Sequence, residues 1–135
     1  MKAYFGRRYM ISASHRLNAE TLTADQNRAA YGKCNNANGH GHNYTLEVLI
    51  GGEVDTETGM VVDLVALDRA VHDRVIDRFD HANLNLDQAF AENVPTTENF
   101  CRAIFDLLRD ALPAGELDHI RVEETENNFF ECSAV

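Results

Sequence analysis

The sequence predicts an α+β domain in which two helices cover one face of an antiparallel sheet, and three observations carry that prediction. Two early segments, from Tyr9 to His15 and from about Asn43 to Val54, alternate apolar and polar residues with the period of two that marks a half-buried strand. Two later segments, after Asp63 and after Pro95, space their apolar residues at three and four, as amphipathic helices do. A last alternating segment begins at Asp118, so the order is two strands, two helices, then one or two strands.

A chain of 135 residues with 44% hydrophobic content suits one domain spanning residues 1–135, with a core that needs neither disulfide nor metal to fold. It contains no run of eighteen apolar residues and no basic segment leading into an apolar stretch, so no membrane span or secretory signal is expected. A soluble, cytoplasmic protein follows. Cys34, Cys101 and Cys132 are an odd number without CxxC spacing, which fits reduced thiols. The net charge of −10 speaks against nucleic acid as a partner. That charge is unevenly spread: residues 1–46 hold six basic side chains against two acidic, and the remainder six against twenty. An anionic small molecule would be received by the first third.

In the first strand Tyr9, Ile11 and Ala13 share one parity, and the next residue of that parity is His15. A lone histidine there would be an ordinary hydrogen-bonded core residue. Residues 16–39 have no sustained period and read as a long loop of the functional kind. It leads into Lys33-Cys34-Asn35-Asn36-Ala37-Asn38-Gly39-His40-Gly41-His42-Asn43-Tyr44. His40 and His42 share the parity of Tyr44 and Leu46, so both rings leave one face of the second strand, about 7 Å apart. With His15 as a third ligand, they meet the need of a catalytic zinc for three protein donors and one open position.

After this strand, residues 55–59 read as a turn and Met60 to Asp63 as a short extended segment. Asp63 caps a helix with Leu64, Leu67, Val71, Val75, Ile76 and Phe79 inward, His72 solvated beside them, and an end near Asp80-His81. Thr96 caps the second helix, whose inner face is Phe100, Cys101, Ile104, Leu107, Leu108 and Ala111, and Pro113 and Gly115 end it. In the last long strand, from Asp118 to about Thr125, Glu124 points where Ile120 and Val122 point. An inward carboxylate is costly unless something meets it, so Glu124 is a ligand contact and Glu123 is surface. Phe129 to Ser133 form a short final strand.

Ser12-Ala13-Ser14-His15-Arg16-Leu17, the stretch from Gly32 to Tyr44, Gly59-Met60-Val61-Val62-Asp63, Asp80-His81, Pro95-Thr96-Thr97-Glu98-Asn99 and Glu124-Thr125-Glu126-Asn127-Asn128 resemble, in order, the signature segments of the 6-pyruvoyltetrahydropterin synthase and 6-carboxytetrahydropterin synthase family. The resemblance covers about residues 10 to 130. It implies a tunnelling fold, a four-stranded antiparallel sheet with two helices on one side, assembled as a homohexamer of paired trimers with active sites at subunit interfaces. It implies a zinc-dependent carbon–oxygen lyase acting on 7,8-dihydroneopterin triphosphate, with His15, His40 and His42 as zinc ligands and Cys34 as the catalytic thiol. Asp80 and His81 would be its partners in proton transfer, Glu124 the anchor of the pterin ring, and Thr97 and Thr125 the pocket lining.

Zinc would acidify the substrate's hydroxyls, and a thiol beside a cation would serve as base. Lys33, Arg16 and Arg28 are candidate triphosphate contacts on the charge asymmetry alone. The five residues between Cys34 and His40 resemble the 6-pyruvoyl form, which serves tetrahydrobiopterin biosynthesis, although Ala37 stands where proline is familiar. The alternative is the 6-carboxy enzyme of queuosine biosynthesis, which releases acetaldehyde. A non-catalytic zinc- or pterin-binding module would lack Cys34 or the Asp80-His81 pair, and both are present. A His-rich metal hydrolase would need a carboxylate base beside the zinc.

Overall fold

Strands β1 (Lys2–His15) and β2 (His40–Glu53) form an antiparallel pair along their whole lengths, from Lys2 opposite Glu53 to His15 opposite His40. The computed structural model describes residues 1–134. Between these strands lies α1 (Ala24–Tyr31), and after them comes α2, which begins as Leu64–Val71, widens into a π turn at His72–Ile76 and closes with Asp77–Phe79. The two-residue β3 (Ala82–Asn83), helix α3 (Thr97–Ala111), β4 (Leu117–Glu123) and β5 (Phe129–Ser133) complete the order.

The sheet runs β3-β1-β2-β4-β5. Its inner face carries Tyr9, Ile11, Ala13, Tyr44, Leu46, Val48, Ile50, Ile120 and Val122, and the helices bring Leu67, Val71, Val75, Phe79, Phe100, Ile104 and Leu108 against it. Each large aliphatic or aromatic side chain so buried contributes about 1.5–3 kcal/mol. In α2 the buried positions Val71, Val75 and Phe79 fall every fourth residue, a spacing that drifts around an ordinary helix. The π turn widens the helix where that drift would carry them off the core.

The expectation of a four-stranded, wholly antiparallel sheet needs correction: β3 adds a fifth strand, parallel to β1 through Ala13 opposite Ala82 and Ser14 opposite Asn83. Two residues carry no alternation to read. The third helix was also hidden, because α1 buries only Asn27 and therefore shows no apolar period. Asn27 instead holds the preceding turn, accepting from the Ala19 N–H and donating to the Ala19, Leu22 and Thr23 carbonyls. β1 begins at Lys2 rather than Tyr9, Met60 to Asp63 form no strand, and β4 ends at Glu123, leaving Glu124 and Thr125 in the turn to β5. Both N-caps are as read: Asp63 accepts from the Val65 and Ala66 N–H groups and Thr96 from that of Asn99.

Candidate active site

The β1–β2 register sets His15 opposite His40 and Ala13 opposite His42, so three imidazoles leave one face at the end of the hairpin. Their ring centroids lie 4.7 to 5.2 Å apart. His15, only 1% exposed, donates its Nδ1–H to the Pro95 carbonyl at 2.8 Å, which leaves Nε2 as a lone pair aimed into the cluster. That Nε2 is 3.1 Å from Nε2 of His40. Glu124 Oε1 approaches Nε2 of His42 to 3.0 Å and Nε2 of His15 to 3.9 Å. One donor atom from each of the four residues lies within 4.8 Å of all the others.

Nε2 of His42 is buried without a hydrogen bond, although Glu124 Oε1 lies 3.0 Å away. Burial also holds the His15 and His42 pKa values below the ordinary histidine value, so both rings favour the neutral form that ligates metal. Lone pairs converging on an unpartnered buried nitrogen and a carboxylate fit a divalent cation. Gly39, which precedes the first HxH histidine, has φ +72°, and a Cβ there would fall 2.9 Å from the His15 carbonyl oxygen. Only glycine allows that close approach.

The loop before β2 is laced to the end of β1. The Leu17 N–H donates to the Cys34 carbonyl at 2.8 Å, and Asn35 Nδ2 donates to the Leu17 carbonyl and to Asn18 Oδ1 at 2.7 and 2.9 Å. The pKa of the half-buried Cys34 thiol is pushed up by burial and then by the charge of Glu124. Tyr44, fully buried, sets its hydroxyl 3.5 Å from Nδ1 of His15, and burial raises its pKa as well. Thr97, 3% exposed near the Tyr44 phenol, has a hydroxyl with no well-formed hydrogen bond. Thr125 is exposed, and its hydroxyl accepts from the Asn127 and Asn128 N–H groups, shaping the turn that carries Glu124.

Asp80 and His81 lie apart from the thiol, along the edge of β1. Asp80 Oδ1 accepts the Ser12 N–H at 2.8 Å, the main reason its pKa lies below the ordinary aspartate value, and Oδ2 is 3.1 Å from His81 Nδ1. His81 has φ +61° and a side chain 82% exposed. A non-glycine residue in that region costs of order 1–3 kcal/mol and marks functional backbone. A cavity of about 490 Å³ runs from His81 to His42 past Ser12 and Ser14, and Cys34 does not line it.

The structure thus joins His15, His40, His42 and Glu124, ties the Cys34 backbone to the end of β1, sets Thr97 beside Tyr44, and leaves Asp80-His81 on a neighbouring surface. The sequence reading gave Glu124 only a ring to bind, whereas its carboxylate also reaches the imidazoles. It passed over Tyr44, the Pro95 carbonyl, Asn35, and Asn85, which accepts from the Arg16 N–H at 2.7 Å and donates to the Arg16 carbonyl at 2.9 Å. For Tyr44 a signal existed in its shared parity with His40 and His42. For a backbone carbonyl there was none.

The sequence pattern of the 6-pyruvoyl tetrahydropterin synthase family matches residues 5–134. The chain is 44% identical over 128 residues to a 6-pyruvoyl tetrahydrobiopterin synthase of Homo sapiens, covering 94% of this chain and 88% of that one. The corresponding protein of Dictyostelium discoideum is 41% identical over 124 residues, covering 91% and 90%. The solved structure of Caenorhabditis elegans 6-pyruvoyl tetrahydropterin synthase superposes with a TM-score of 0.95 at 38% identity, covering 100% of this chain and 97% of that one.

Proposed function

The chain belongs to the 6-pyruvoyl tetrahydropterin synthase family, and from that premise we propose that it is a lyase converting 7,8-dihydroneopterin triphosphate to 6-pyruvoyltetrahydropterin with elimination of triphosphate. The observation that carries the reading is the convergence of His15, His40 and His42 with Glu124. In this reading the three histidines hold zinc, and the chemistry zinc supplies when bound is to acidify the hydroxyls of the substrate side chain.

The remaining work falls to the chain's own groups. Cys34 takes the proton from the carbon beside a hydroxyl. A cation held at the imidazole cluster would favour the thiolate that this role needs. His81, held by Asp80 through its Nδ1, passes the second proton. Glu124 accepts hydrogen bonds from the pterin N–H and amino groups, the free Thr97 hydroxyl meets the ring, and Thr125 fixes the turn that presents Glu124. His15 keeps its Nε2 directed inward through its bond to Pro95.

The homohexamer of paired trimers belongs to the same reading. It is supported by the exposure of His81 and of the large apolar side chains Tyr4, Met10 and Phe129 on the strands. The test is to incubate the zinc-loaded protein with 7,8-dihydroneopterin triphosphate and identify the products by mass. Release of triphosphate with retention of the whole carbon side chain is the result anticipated. Acetaldehyde with a 6-carboxy pterin would assign the chain to the queuosine branch instead, and no turnover would leave a binding module.

A further inference from the structure

Cys101 and Cys132 play no part in the reaction assigned above, yet the fold turns them toward one another. All three cysteines are free thiols. Cys101 comes from the inner face of α3 and is fully buried, and its Sγ–H donates to the Phe130 carbonyl of β5 at 3.6 Å. Phe130 and Cys132 alternate with the exposed Phe129, Glu131 and Ser133, so both side chains pack inward against the core. The register sets Cys132 opposite Ile120 of β4, itself fully buried. The Cys101 sulfur therefore meets β5 within two residues of Cys132, on the face to which that side chain points, and the two thiols are hydrogen-bond partners.

A buried cysteine on a helix is by itself a small core filler, and that accounts for Cys101. It does not account for Cys132, which sits half-buried on the edge strand of the sheet and sets a second sulfur against the first. The two environments differ as a reacting pair requires. Burial, followed by the hydrogen bond and charge of Cys132 and the charge of Glu131, pushes the Cys101 thiol up, so it stays protonated. Cys132 is the sulfur of the two that solvent reaches, and an oxidant dissolved in water meets it first.

We propose that Cys101 and Cys132 form a redox couple, closed by hydrogen peroxide into an intrachain disulfide that ties α3 to β5. The Cys132 thiolate attacks one peroxide oxygen and the O–O bond breaks, giving the Cys132 sulfenic acid and hydroxide, which combines with the proton the thiol gave up. The Cys101 sulfur then attacks the sulfenic sulfur and the S–O bond breaks; the departing hydroxide takes the Cys101 proton and leaves as water. Two thiols are oxidised to one disulfide, and one peroxide is reduced to two waters. The candidate active site adjoins both ends of the new bond. Cys101 lies one turn after Thr97 in α3, a helix entered from Pro95, whose carbonyl holds His15. β5 is entered from the turn that presents Glu124, whose N–H donates to the Asn128 carbonyl. The disulfide fixes these two supports to one another, and a reducing thiol releases them.

The experiment treats the zinc-loaded chain with hydrogen peroxide, removes the excess with catalase, traps the remaining thiols with N-ethylmaleimide in urea, and maps the peptides by mass. The parent, C132S and C101A are compared. The parent should lose two hydrogen atoms per chain, yield a linked peptide joining Cys101 to Cys132 while Cys34 is still alkylated, and recover both thiols under dithiothreitol. Its urea midpoint should rise on oxidation and return on reduction, because the cross-link restricts the unfolded chain. C132S should form no linked peptide and show no such shift. C101A should carry Cys132 onward to the sulfinic acid, for want of a thiol to resolve the sulfenic acid. C132S alters only a half-buried edge position, so the test stands even if C101A does not fold. Sulfinic acid at Cys132 in the parent with Cys101 still alkylated would overturn the couple, as would a link from either residue to Cys34 or to another chain.

Discussion

The imidazole cluster and the Asp80-His81 pair lie on either side of β1, yet they are built in opposite ways. The cluster is convergent: three rings and a carboxylate from β1, β2 and the β4–β5 turn close on one point, with His15 almost wholly buried. The pair is divergent, with His81 on strained backbone and four-fifths exposed, its polar contacts among the described residues being Asp80 and the Ser12 carbonyl. One hairpin register suffices to complete the first. The second finishes nothing by itself, and this is the difference anticipated if its working partner arrives from another subunit. Folding and function are coupled tightly at the cluster and loosely at the pair.

That contrast can be broken in four ways. The largest effect should come from His40→Ala, which removes one of three converging nitrogens. Zinc content measured by atomic absorption should fall from one per chain toward zero and activity below detection, with far-ultraviolet circular dichroism little changed. Stoichiometric zinc in that variant would remove His40 from the ligand set. Cys34→Ala and His81→Ala should each lower kcat by about 10²–10⁴-fold while zinc stays bound, as the loss of a positioned acid or base does. Zinc loss in Cys34→Ala would make the thiol a ligand.

Glu124→Gln should be milder. An amide donor would then oppose the donors of the pterin ring, at a cost of about 1–3 kcal/mol expressed mainly as a higher KM. Zinc affinity should hold, and if it drops while KM does not, the carboxylate 3.0 Å from His42 is a metal ligand rather than a ring anchor. Glu123→Gln is the control, because that side chain pairs with Arg121 on the other face.

The smallest effect concerns acid stability. Hydrogen bonding by the Ser12 N–H depresses the Asp80 pKa below the ordinary value of 3.8. The stabilisation is fully present above that unfolded value and is lost as the pH falls through the lower folded one. Urea midpoints of the parent and Asp80→Asn should therefore converge as the pH drops below about 4, and a constant gap would mean that Asp80 contributes by shape alone.

Much of the cluster was legible because strand parity is a strict rule: His15, His40 and His42 could be set on inward faces from their spacing, while the register that sets His15 opposite His40 is a property of the folded hairpin. The two core helices were legible for the same kind of reason, since Leu67, Phe100 and Ile104 obey a helical period. Where polar side chains do the structural work, periodicity is silent. Helix α1 shows this best: its stabilising residue is Asn27, yet Thr23 and Gln26 form a capping box that was present in the sequence and could have located it. Phe105, buried at 5% exposure, escaped because it sits on the flank of the α3 apolar stripe. Contacts that depend on backbone atoms, such as Pro95 holding His15, leave no residue type to notice.

The two hydrogen bonds by which Asn85 holds Arg16 tie the segment just after His81 to the residue just after His15. Neither bond can stretch without the other, so the edge of the sheet and the root of the cluster must open together as one unit of local unfolding. A side chain outside the imidazole cluster would in this way set how often the site comes apart.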